Sequence, residues 1–212
     1  LGLALDGDAD RVLAVDGAGD LVDGDQIIAM CAIDLKARGL LANDTVVVTV
    51  LSNLGFRQAM AAHDIAVVVT DVGDRHVLEA LAAGGHQLGG EQSGHVIFRD
   101  LASTGDGMLA GLRLASVVRR SGRTLAELAA DSMERLPQVM VNVPVARRDP
   151  SIVDQVASGV AAAEAALGTR GRVLLRPSGT EPLIRVMVEA PTMAEATEVA
   201  DDLAGAVRAV AG

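Results

Sequence analysis

The sequence predicts an α/β protein in two parts. The first is an α/β body with a mixed sheet. The second, beyond Leu136-Pro137, is an α+β body with an antiparallel sheet and helices on one face. Three observations carry this reading. Thr45 to Leu51 and Ile65 to Thr70 are continuous runs rich in β-branched residues, separated by a helical segment, as in a strand–helix–strand unit whose parallel strands are buried. Val139, Val141, Val143 and Val145 alternate strictly, which marks a strand with one buried face. After Pro137 the order is strand, helix, strand, strand, helix, the succession expected of a small open-faced sheet.

Taken in order, Leu1 to Leu5 is an apolar strand ending in Asp6-Gly7-Asp8-Ala9-Asp10-Arg11. Val12 to Val15 and Leu21-Val22 flank Asp16-Gly17-Ala18-Gly19-Asp20, a hairpin with a glycine-containing loop. Asp23 or Asp25 caps a helix running to about Arg38, with Gly39 as its stop. A helix from about Leu54 to His63 joins the two β-branched runs. Asp71 to Arg75 then turns into a helix through about Ala83, with Asp74 a candidate N-cap. Gln87 to Gly90 and Val96 to Phe98 are short strands around a loop, and Gly105-Asp106-Gly107 opens a helix through Arg120. Thr124 and Glu127 have the spacing of a capping box. In the second part, Ile152, Val156, Val160, Ala163 and Leu167 share one helical stripe, Arg172 to Leu175 and Leu183 to Glu189 are strands, and Val199, Leu203, Val207 and Val210 form a last stripe.

Half of the 212 residues are hydrophobic, enough for a substantial core without disulfides. Cys31, the single cysteine, lies in an apolar stretch and reads as a buried thiol, which together with the lack of a signal peptide fits a reducing cytoplasm. No run reaches transmembrane length, so no membrane partner is expected. Leu1 in place of an initiator Met suggests a processed, tagged or truncated chain. The net charge of −10, with Phe56 and Phe98 the only aromatic residues, argues against nucleic acid. Lys36 is the one lysine among 18 basic residues, and arginine suits bidentate phosphate contacts. Anionic substrates therefore stay open.

Three segments carry chemistry. Alternate residues of an extended segment point the same way, so Asp6, Asp8 and Asp10 converge on one hard divalent cation, with Mg²⁺ the first choice. A solvated turn is the alternative. An EF-hand is excluded, because Arg11 and Gly17 stand where its loop needs Gly and a bidentate acid. A haloacid dehalogenase-type phosphatase, with Asp6 as nucleophile, would need a downstream cation, for which Lys36 is the candidate. Gly90-Glu91-Gln92-Ser93-Gly94-His95 gathers groups suited to sugar recognition, with Glu91 and Ser93 on one face of an extended loop; a Gly-rich turn satisfying its own backbone is the competing reading. Arg176-Pro177-Ser178-Gly179-Thr180-Glu181-Pro182 joins two strands and offers hydroxyls, a glycine and an arginine to an anion, and Arg185 lies on the strand face opposite Ile184, Val186 and Val188. Arg75, beside Gly73-Asp74 at a helix start, could add a cation, or be a solvated first-turn residue.

The three motifs occur in the order and approximate spacing of the α-D-phosphohexomutase superfamily, which the whole chain resembles. Gln92 and Val72-Gly73-Asp74-Arg75 are similar to its bacterial phosphoglucosamine mutase branch, and Thr104-Gly105-Asp106-Gly107 also fits. The resemblance implies a C-terminal fragment: residues 1–19 as the end of a second domain with its metal loop, 20–135 as an α/β third domain with the sugar loop, and 136–212 as an α+β fourth domain with the phosphate loop. It implies that Asp6, Asp8 and Asp10 bind Mg²⁺ with a phosphoserine and that Arg11 holds the transferring phosphate; His95 is a second catalytic candidate, with a structural histidine the competing reading. Glu91 and Ser93 would grip sugar hydroxyls, and Arg176, Ser178, Gly179, Thr180 and Arg185 would anchor the unreactive phosphate. The Ser-His-Asn-Pro-type loop that carries the phosphoserine is absent from these residues. The expected partners are thus a phosphosugar, a sugar 1,6-bisphosphate intermediate and the missing N-terminal domains, with a homodimer of the full-length form left open. The implied reaction feeds UDP-N-acetylglucosamine and cell-wall precursor synthesis.

Overall fold

A computed structural model describes residues 1–147, 149–179 and 181–211. The chain forms two compact units, Leu1–Arg135 and Leu136–Gly212.

In the first unit β1 (Gly2–Leu5), β2 (Val12–Val15) and β3 (Leu21–Val22) form an antiparallel sheet in that order. The β2–β3 turn is closed by Asp16, whose Oδ1 accepts from the backbone N–H of Ala18 and Asp20 at 2.8 and 2.9 Å. These bonds stabilise the carboxylate, and its pKa falls below the usual value. Helix α1 (Gly24–Ala37) follows, opened by a capping box between Asp23 and Gln26. It is apolar almost all round, with Ile27, Ile28, Ala29, Met30, Cys31 and Ala32 all buried, so it runs through the core rather than along the surface.

β4 (Thr45–Thr49), α2 (Leu54–Ala62), β5 (Ala66–Thr70), α3 (Asp74–Gly84), β6 (Leu88–Gly90) and β7 (Val96–Phe98) build a four-stranded sheet in the order β5-β4-β6-β7. β4 is parallel to β5 and β6, while β7 is antiparallel to β6, which makes the sheet mixed. β4 is buried along its length because both faces are covered. Val46 and Val48 join the core of α1 and α2, and Val47 packs with Val77 and Leu81 of α3. β5 departs from the expected burial: it lies at the sheet edge, and Val69 is 39% exposed. Its β-branched run reflects strand formation more than enclosure. α4 (Gly107–Ser121) is capped by Asp106, and α5 (Leu125–Ser132) by the Thr124–Glu127 box foreseen from sequence.

In the second unit β8 (Gln138–Pro144), β9 (Arg172–Pro177) and β10 (Leu183–Glu189) form an antiparallel sheet with β10 central. Ile184, Val186 and Val188 of β10 enter the core with Val143 and Val173. The helical segment after Pro150 breaks at Val156 into α6 (Ser151–Gln155) and α7 (Ala157–Leu167), next to a Ser158-Gly159 pair of the kind that interrupts helices. In α8 (Met193–Ala211) the buried stripe is Ala196, Ala200, Leu203, Ala204 and Val207; Val210, expected within it, is 38% exposed. Small alanines let the helix lie close on the sheet, which an inward-facing valine row would prevent.

Candidate functional site

Asp6, Asp8 and Asp10 sit between β1 and β2, and their ligand oxygens lie within 4.8 Å of one another. The segment is not extended as the sequence suggested. It folds into a turn in which the Ala9 N–H donates to the Asp6 carbonyl at 3.2 Å and Ala9 adopts φ 60°. An extended chain would put alternate residues roughly 6.6 Å apart, so it is the turn that gathers the carboxylates. Main-chain bonds hold it from outside. The Gly107 N–H donates to the Ala9 carbonyl at 2.9 Å, and the Val12 N–H donates to the Gly94 carbonyl at 3.1 Å. Gly107 is required there, because a Cβ would come within 2.5 Å of the Arg11 carbonyl oxygen.

Arg11 leans over the acids, its Nε 3.8 Å from Asp10 and 3.9 Å from Asp6, and its backbone N–H donates to Asp6 Oδ1 at 3.2 Å. The Asp10 carboxyl is held above its ordinary pKa, first by partial burial, then by the charge of Asp8 and the nearness of Asp6, with His95 opposing. Asp10 Oδ1 is buried with no hydrogen bond among the described residues. Three mutually repelling carboxylates with an unsatisfied oxygen form a hard, anionic donor set. That is what Mg²⁺ requires, so the residues fit the ion.

The sugar-loop candidates stand close by in the same unit. Gly94 takes φ 95°, and a Cβ there would be 2.3 Å from the Val12 carbonyl oxygen. Gly24 of α1 lies so near the loop that a Cβ would meet the Glu91 carbonyl oxygen at 2.1 Å. Glu91 Oε1 accepts from the Gly73 N–H at 3.0 Å, and Ser93 Oγ donates to Glu91 Oε2 at 3.5 Å, so Glu91 joins this loop to the one preceding α3. Arg11, Leu51, Val72, Glu91, Gln92 and Ser93 line a pocket of about 440 Å³. Asp23 and Arg135, which the sequence reading did not single out as site residues, line it too. Asp23 Oδ2 accepts from Gln92 Nε2 at 3.4 Å and lies 3.5 Å from Arg135. Its N-cap position was readable; its neighbour 69 residues away was not.

His95 is 1% exposed, with Nε2 facing Asp74 at 3.5 Å and Asp10 at 3.7 Å. Asp74 is free to face it because Gly73, at φ 127°, takes the N-cap position of α3 that the sequence offered to Asp74. Arg75 is not brought into this group: its side chain is 85% exposed and pairs with Glu79 at 2.7 Å. Glu79 stands one turn along α3, and the local i,i+4 pair holds the guanidinium there. Lys36, the cation a phosphatase would need, is engaged by Asp44 at 2.7 Å.

In the second unit Arg176 and Arg185 are cross-strand partners. Arg185 reaches Glu181 at 3.8 Å and its Nε is buried with no hydrogen bond among the described residues. Ser178 is buried and its Oγ accepts from the Glu181 N–H at 3.2 Å, while Gly179 is exposed at the loop tip. Thr180 lies outside the described residues.

Residues 23–136 match the family described as phosphoglucomutase/phosphomannomutase, alpha/beta/alpha domain III, and residues 140–206 match its C-terminal domain. The chain belongs to this phosphohexomutase family. Among curated relatives it is 62% identical over 99% of its length to the phosphoglucosamine mutase of Frankia alni, and 54% identical over 98% to that of Symbiobacterium thermophilum. In both cases it spans 46% of the relative, about half. Among solved structures, Aspergillus fumigatus N-acetylphosphoglucosamine mutase, in complex with GlcNAc-6P and magnesium, superposes with a TM-score of 0.78 at 24% identity, covering 99% of this chain and 49% of that one. A Burkholderia thailandensis phosphoglucomutase/phosphomannomutase family protein gives 0.75 at 21% identity, covering 98% and 46%. These two structures establish likeness of fold. No helix among the described residues is long and apolar enough to cross a membrane.

Proposed function

We propose that this chain is the C-terminal part of a phosphoglucosamine mutase, which interconverts glucosamine 6-phosphate and glucosamine 1-phosphate through a phosphoserine and a 1,6-bisphosphate. Its domains would be 1–19, 20–135 and 136–212, the phosphoserine lying in a preceding domain. The observation that carries the reading is the gathering of Asp6, Asp8 and Asp10 within 4.8 Å beneath Arg11, in a chain whose relatives bear that name.

Asp6, Asp8 and Asp10 would hold Mg²⁺, which when bound supplies positive charge to a phosphoryl group. Arg11 adds a guanidinium on the same side and orients a phosphate by hydrogen bonding. Glu91 and Ser93 present a carboxylate and a hydroxyl 3.5 Å apart, a spacing suited to neighbouring sugar hydroxyls. His95, withdrawn from solvent beside two carboxylates, would take and return a proton at Nε2 as the sugar hydroxyl becomes nucleophile or leaving group. In the second unit Arg176, Ser178, Gly179, Thr180 and Arg185 would bind the phosphate that is not reacting. Phosphoryl transfer depends chiefly on such positioning and charge stabilisation.

The test is ³¹P NMR of glucosamine 6-phosphate incubated with the full-length protein, Mg²⁺ and a trace of glucosamine 1,6-bisphosphate. A glucosamine 1-phosphate resonance is expected, and none with residues 1–212 alone. Turnover of mannose or glucose phosphates with glucosamine 6-phosphate left untouched would reassign the substrate, and turnover by residues 1–212 alone would remove the need for a preceding phosphoserine.

A further inference from the structure

We propose that Asp10, Asp74 and His95 form a second divalent-cation site, selective for a borderline metal such as Zn²⁺, sharing Asp10 with the magnesium site. Their ligand atoms all lie within 4.8 Å of one another. The inference rests on the spacing and on the state of the histidine.

His95 Nε2 stands 3.5 Å from Asp74 Oδ2 and 3.7 Å from Asp10 Oδ2. A charge-assisted hydrogen bond would draw such pairs to about 2.8 Å. Two ligands each about 2.1 Å from a tetrahedral zinc stand roughly 3.4 Å apart. The observed separations are those of a ligand cage rather than of an ion pair. The imidazole is 1% exposed, and its Nδ1 is buried with no hydrogen-bond partner among the described residues. Gly105 packs against the Nε2 end of the ring, where a Cβ would come to 2.2 Å from Nε2 and 2.4 Å from Cδ2. A buried, immobilised imidazole is thus aimed at the gap between two carboxylates.

The donor set decides the metal. Two carboxylates and one imidazole make a three-ligand zinc site with a fourth position open, whereas Mg²⁺ prefers oxygen donors and retained water. The cage also has an entry path, since the Asp74 side chain is 46% and the Asp10 side chain 32% exposed. Zn²⁺ bound there occupies the Nε2 lone pair. Under the mutase reading, loading this site would therefore silence His95 without removing Mg²⁺.

The test uses metal alone, so its failure leaves the mutase assay unaffected. Residues 1–212 are titrated with ZnCl₂ by calorimetry in saturating Mg²⁺, and the ring nitrogens of ¹⁵N-labelled histidine are followed by long-range NMR correlation. One Zn²⁺ is expected to bind with Mg²⁺ retained and the His95 Nε2 resonance shifted. Asp74→Asn, at a half-exposed first-turn position that leaves the core untouched, should weaken Zn²⁺ by about tenfold or more while sparing Mg²⁺. Asp8→Asn should do the reverse. Zn²⁺ displaced one-for-one by Mg²⁺, an unmoved His95 resonance, or unchanged Zn²⁺ affinity in Asp74→Asn would each overturn the proposal.

Discussion

Gly94 and Gly19 share φ 95° but differ in surroundings, so the pair separates backbone strain from steric conflict. A Cβ at Gly19 would meet nothing within 4 Å, whereas at Gly94 it would be 2.3 Å from the Val12 carbonyl oxygen and 2.9 Å from its carbon. Alanine at either position incurs the left-handed penalty of about 1–2 kcal/mol. At Gly94 the Val12 carbonyl must also retreat by about 1 Å to reach ordinary contact. That motion pulls on the Val12 N–H bond to the Gly94 carbonyl, and both residues are buried. Losing that bond in a buried setting adds about 1–3 kcal/mol. Gly19→Ala should therefore cost about 1–2 kcal/mol and Gly94→Ala about 2–5 kcal/mol. With no Trp or Tyr, the assay is urea unfolding followed by circular dichroism, with hydrogen exchange of peptides from residues 1–135 reporting the affected unit. Mg²⁺ affinity should fall in Gly94→Ala and not in Gly19→Ala. Equal losses in the two variants, within about 0.5 kcal/mol, would refute the claim that the metal turn is anchored by this close approach.

Asp8→Asn should lower Mg²⁺ affinity about tenfold or more by removing one anionic ligand, measured by calorimetry on residues 1–212. Arg176→Ala should abolish or strongly weaken binding of glucosamine 6-phosphate to the same chain; unchanged binding would count against the anion loop. Burial pushes the Cys31 thiol up to about 12 from 9.0, with Asp34 adding to the rise, so it should not react with Ellman's reagent at pH 8 until the protein unfolds. The raised value also means that this thiol's contribution to stability is intact below about pH 9 and is lost as pH climbs toward about 12, which urea titrations across that window would register. Thr124→Ala should cost about 0.5–2 kcal/mol by removing the α5 cap, read as a lower urea midpoint.

What could be read in advance was whatever depends on neighbours in sequence. The Asp23 and Thr124 caps and the alternation of Val139 to Val145 are set within a few residues, and they stand where the pattern put them. The acidic cluster was foreseen by the wrong geometry, since the pattern could not reveal that Ala9 would turn left-handed. Contacts between distant segments left no trace. Asp25 accepts from the Asn53 N–H at 2.8 Å inside the core, 28 residues away, although it read only as an alternative helix cap. Asp74 was likewise assigned to its own helix, when its carboxylate faces His95. Edge status, as for β5, is a property of the whole sheet and cannot be inferred from the composition of one strand.

The backbone of the acidic turn is gripped from outside by peptide groups of Gly94 and Gly107. The course of the turn is therefore insulated from most side-chain substitutions elsewhere in the unit. Leu51 and Val72, which line the neighbouring hollow, can be exchanged with little consequence for the acids. Such a partition keeps the acidic centre fixed while the lining of the adjoining pocket varies.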